Sequence, residues 1–177
     1  MRSGTSMMMQ ALEAGGMEAG YRSERDDQIN ANFGRDDYVP NERYFELGIE
    51  NFQRLDFPEC YDGKVIKCLF GGVMLFPVYP VRIIFMRRNT ESIKSSILAM
   101  RGRILNTVRS PYFQKRLDQA VACLRDRRSV ISLTEINFED VVSNPFSVFG
   151  RLQFEGWPID PEAASRIPRP EKVRSAA

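Results

Sequence analysis

Val81-Arg82-Ile83-Ile84-Phe85-Met86-Arg87-Arg88-Asn89 is a near-continuous apolar run that ends in two cations and a capping residue. A strand apolar on both faces is the mark of a parallel strand covered on both sides. Asn89 predicts a helix N-cap, and Ile93, Ile97 and Met100 supply the apolar stripe of a helix through about Ile104. Strand followed directly by helix is the unit of an α/β sheet.

The same pattern recurs outward from this segment. Lys64-Val65-Ile66-Lys67-Cys68-Leu69-Phe70 and Val130-Ile131-Ser132-Leu133-Thr134-Glu135-Ile136 read as strands. Thr5–Ala14 reads as a helix stopped by Gly15-Gly16, and Arg43–Leu55 as another, with Phe45, Ile49 and Phe52 on one face. Ser110-Pro111 predicts a helix start, with Tyr112, Phe113, Leu117, Val121 and Leu124 facing inward. Asn144-Pro145 predicts a short helix to about Phe154, ended at Gly156. Tyr21–Asn41 reads as a long polar loop, and the proline-bearing tail after Trp157 as a surface wrap. The alternation predicts one α/β domain with a parallel sheet.

Composition narrows the function classes. At 177 residues and 43% apolar content the chain suffices for one domain with a core, and a formal charge of +2 gives no bulk argument for nucleic acid or a membrane surface. The apolar stretch from Cys68 to Met86 is interrupted by Gly71-Gly72, Pro77, Pro80 and Arg82, so two buried segments are expected rather than a membrane span. The three cysteines, Cys60, Cys68 and Cys123, have no metal-binding spacing; reduced, mostly buried thiols in a cytoplasmic protein are expected, with no signal peptide. Histidine is absent, which removes the Ser-His-Asp triad and leaves proton transfer to a carboxylate, Lys, Tyr or Cys.

Three constellations carry candidate chemistry. Arg2-Ser3-Gly4-Thr5-Ser6 opens directly into a helix, the arrangement that aims backbone N–H groups and the helix dipole at an anion. It lacks the Gly-Lys-Ser/Thr ending of a magnesium-nucleotide loop, and an ordinary helix cap has the same pattern. Arg87-Arg88-Asn89, with Ser95-Ser96 two turns on, stands at the C-terminal end of a strand, where open α/β sheets bind ligands; a solvated basic turn is the alternative. Thr134–Pro145 holds Glu135, Glu139 and Asp140, which are either catalytic or structural caps.

In order and spacing these pieces resemble the sulfotransferase family, specifically its bacterial and phage-type branch. Arg2–Ser6 and the following Met7-Met8-Met9-Gln10-Ala11-Leu12-Glu13-Ala14-Gly15-Gly16 resemble its phosphosulfate loop and first helix. Val81–Arg88 with Ser96, eight residues after Arg88, resembles its 3′-phosphate-binding strand and serine. Asn137–Pro145 is similar to its late acidic segment, Lys64–Leu69 to its lysine-bearing strand, and Tyr44-Phe45-Glu46-Leu47 to its aromatic-aromatic-Glu segment.

The resemblance implies a three-layer P-loop-type α/β fold over residues 1–177, N-terminally truncated before the phosphosulfate loop and so lacking the family's first strand. It implies transfer of a sulfuryl group from 3′-phosphoadenosine 5′-phosphosulfate to a hydroxyl or amine acceptor, with no metal. Ser3, Gly4, Thr5 and Ser6 would hold the 5′-phosphosulfate, and Arg88 and Ser96 the 3′-phosphate. Arg2 would neutralise the leaving oxygen, Lys67 would face the sulfate, and Glu46 would serve as general base. The alternatives are a truncated or degenerate sulfotransferase-fold binding protein without activity, and a P-loop nucleotide kinase.

Overall fold

The computed structural model describes residues 3–20, 45, 47, 51, 56–68, 76, 78–101, 108 and 112–168. In chain order its elements are α1 (Thr5–Ala14), β1 (Ala19–Gly20), a 3-10 turn (Glu59–Tyr61), β2 (Val65–Ile66), β3 (Val81–Arg87), α2 (Thr90–Arg101) and α3 (Phe113–Arg125). They continue with β4 (Val130–Asn137), α4 (Phe138–Ser143), α5 (Pro145–Phe154) and α6 (Pro161–Ser165). The described strands form two parallel pairs, β1 with β2 and β3 with β4.

The β3–β4 pair organises the core. Alternate side chains leave a strand on opposite faces. Ile84 and Met86 join a cluster built with Met8, Leu12, Ile136, Phe138, Phe149 and Leu152, whereas Phe85 packs on Ile93, Ile97, Phe113 and Leu117. The apolar run therefore packs against a cluster on each of its faces, with Met86 buried and Ile84 and Phe85 half-buried. Along the register Arg87 lies opposite Asn137, so both strands end at the same edge.

Local chemistry sets several boundaries as expected. Asn89 Oδ1 accepts hydrogen bonds from Glu91 N at 2.8 Å and Ser92 N at 3.3 Å, capping α2. Asn144 Oδ1 accepts from Ser147 N at 3.4 Å, with Pro145 at the first position of α5.

Other expectations are corrected. The tail after Trp157 enters the core: Trp157, Ile159 and Ala164 are buried, Asp160 caps α6, and Asp160 N donates to Gly15 O at 2.8 Å. Tyr112, placed on the inner face of α3, is 62% exposed, and α3 itself begins at Phe113. Within Arg43–Leu55, Phe45 has a φ of 56° and neither Phe45 nor Leu47 is helical. Cys123 is exposed and Cys60 and Cys68 are half-buried, against an expectation of mostly buried thiols; all three are free. The strand expected over Lys64–Phe70 is regular only at Val65–Ile66, with Leu69 and Phe70 outside the described residues. Tyr21–Asn41, Pro111 and the helix beyond Arg101 also lie outside them. No helix among the described residues is long and apolar enough to cross a membrane.

Candidate functional site

Gly4 is the N-cap of α1, with φ at 86°, a left-handed conformation that glycine adopts without a Cβ penalty. No described side chain caps this helix, and its first turn contains no acidic residue. The first N–H groups of a helix have no partner within the helix, so this end offers hydrogen-bond donors and the positive pole of the dipole. Ser3 and Ser6 are 7% and 8% exposed and flank the turn.

Lys67 arrives from just beyond β2. The residue is 9% exposed, and Nζ donates to Ser6 Oγ at 2.9 Å across 61 positions of sequence. Burial of an ammonium requires polar partners, and Ser6 Oγ at the start of α1 is one of them.

A second cation reaches the same turn through an aromatic ring. The Arg88 guanidinium lies over Phe138, with Cζ 4.2 Å from the ring centroid. A Cβ placed on Gly4 would meet Phe138 Cδ2 at 2.3 Å, so the glycine backbone lies directly against that ring. Arg88 and Gly4 thus share Phe138 as a common neighbour. Ser96 is 4% exposed, on the helix whose cap follows Arg88.

The neighbouring Arg87 has a different role. It leaves the opposite face, where Nε donates to Glu135 Oε2 at 2.7 Å and Nη1 to Asp118 Oδ1 at 2.6 Å. Arg125 completes this network on Glu135 at 2.5 Å. The hydrogen bonds to Glu135 and then Asp118 raise the Arg87 pKa against the opposing effect of burial. Glu135 is therefore a structural counter-ion that ties α3 to both strands. A cleft of about 390 Å³ opens at the strand ends, lined by Arg87, Arg88, Asn89, Glu135, Asn137 and Glu139 among others.

Of the residues singled out from sequence, the structure brings together Gly4, Ser6, Lys67 and Arg88. Arg2 and Glu46 lie outside the described residues. Phe138 stands in an acidic stretch, and the only sequence feature that marks it is its position immediately after a strand end. Cys68, next to Lys67, has its thiol pushed up to about 12 by burial, which disfavours the thiolate. Among the described residues no group of three His, Cys, Asp or Glu side chains is arranged to hold a metal.

No family model, curated protein or solved structure matches this chain.

Proposed function

We propose that this chain is a sulfotransferase-fold protein of three-layer P-loop type that transfers a sulfuryl group from 3′-phosphoadenosine 5′-phosphosulfate to a hydroxyl or amine. The observation that carries the reading is the buried Lys67–Ser6 contact at the start of α1, which no described side chain caps. A helix N-terminus, a desolvated ammonium and a hydroxyl converge there, and this is chemistry for a phosphosulfate. Arg88, one phenyl ring away from Gly4, supplies a second cation for the 3′ position, where the bisphosphate carries a phosphate and ATP a hydroxyl.

In this reading the acceptor oxygen or nitrogen attacks sulfur, and the bond between sulfur and the 5′-phosphate oxygen breaks. The acceptor proton passes to Glu46. Charge grows on the departing phosphate, where the α1 N–H groups, Lys67 and Arg2 stabilise it. Fixed cations do this without a metal because a sulfuryl group carries less charge than a phosphoryl group.

The test is transfer from radiolabelled donor to a panel of hydroxyl and amine acceptors in the presence of a chelator. Label should appear in an acceptor, and Lys67→Met should lower the rate by about 100-fold. Phosphoryl transfer from ATP with an absolute need for magnesium would instead favour a nucleotide kinase. Donor binding without any transfer would leave a binding protein.

A further inference from the structure

Resting on that donor-site reading, we propose that Phe138 is a positioning residue whose ring sets the spacing between the 5′-side loop at Gly4 and the 3′-side cation at Arg88. The ring belongs to neither anion-binding group, yet both lean on it. Gly4 approaches Cδ2 and Cε2 so closely that an added Cβ would lie 2.3 Å and 2.9 Å from them. Arg88 Cζ stands 4.2 Å from the ring centroid, within cation–π range.

The ring is itself rigidly held. Phe138 is the first residue of α4 and follows the last residue of β4 with no intervening loop. It is 7% exposed and packs in the cluster that contains Met8, Met86 and Val141. An aromatic ring cannot shorten or bend, so a fixed ring between two anchors fixes their separation. The π face also orients the guanidinium, which an aliphatic side chain of similar bulk does not.

The experiment compares two ligands across three variants of the full chain. Affinities for 3′-phosphoadenosine 5′-phosphate and for AMP are measured by calorimetry, and their ratio isolates what the 3′-phosphate contributes. Phe138→Leu keeps apolar bulk against Gly4 but removes the π face; its ratio should fall by about tenfold while AMP binding changes little. Phe138→Met, which fills the site with a longer side chain and no π face, should follow it. Phe138→Tyr keeps the face and should keep the wild-type ratio.

Equal loss of both ligands in the Leu and Met variants, or an unchanged ratio, would overturn the positioning role and leave Phe138 as core packing only. A wild-type chain that does not prefer the bisphosphate over AMP would overturn the donor-site reading itself, and the inference with it.

Discussion

At the scale of single residues, two adjacent arginines divide the work because a strand alternates its side chains. Arg87 is bound to Glu135 and Asp118, and Arg88 lies on Phe138 beside the α1 turn. Arg88→Ala should cost about 2–4 kcal/mol of affinity for the 3′,5′-bisphosphate, the usual cost of leaving a desolvated charge without its partner. Arg87→Ala should instead lower the melting temperature with a smaller effect on binding. Calorimetry and thermal melts on the two variants separate these outcomes; a larger binding loss at Arg87 would reverse the assignment.

Cys68 gives a second prediction at this scale. Burial raises its pKa from 9.0 to about 12. Between those values the unfolded chain has released the thiol proton and the folded chain has kept it, so stability falls as pH rises through that window. The maximal slope for one such group is about 1.4 kcal/mol per pH unit. Cys68→Ala should remove this component, making denaturant midpoints above pH 9 less pH-dependent than in the wild type. Identical alkaline slopes in the two proteins would contradict the burial of this thiol.

At the scale of elements, what was legible followed local chemistry. The run at Val81–Arg87, the Asn89 and Asn144 caps and the glycines after α1 each specify their element through neighbouring residues alone. β1 was illegible because Ala19-Gly20 has no strand propensity and is held only by pairing with Val65 and Ile66. The tail was misread because its prolines mark turns without saying which way Trp157 and Ile159 face; burial of both is a tertiary outcome. In the site, Arg88 was legible as a charge at a strand end and Lys67 only through the family resemblance, but the phenyl ring joining Arg88 to Gly4 was not. Its role depends on which three segments the fold brings together.

The cap of α6 provides the prediction at this scale. Asp160 Oδ1 accepts from Glu162 N at 2.9 Å and Ala163 N at 3.4 Å, while its own N–H binds the end of α1. Asp160→Ala should lower stability by about 1 kcal/mol, since the helix loses its side-chain cap. Denaturant titration checks the value, and no change in midpoint would mean that the backbone bond to Gly15 alone secures the segment.

At the scale of the whole molecule, the parallel β3–β4 pair carries apolar clusters on both faces and delivers two strand ends to one edge. That edge, the start of α1 and the position after β2 supply Arg88, the loop from Ser3 to Ser6, and Lys67. Two cations distant in sequence reach one helix start, Lys67 through Ser6 and Arg88 through Phe138, and the proposed donor site rests on that convergence.

Calorimetric binding of 3′-phosphoadenosine 5′-phosphate, against ATP with magnesium and AMP, tests this account most directly. Selective binding of the 3′,5′-bisphosphate without metal is the predicted result. Absence of binding to a folded sample, or preference for ATP with magnesium, would contradict it.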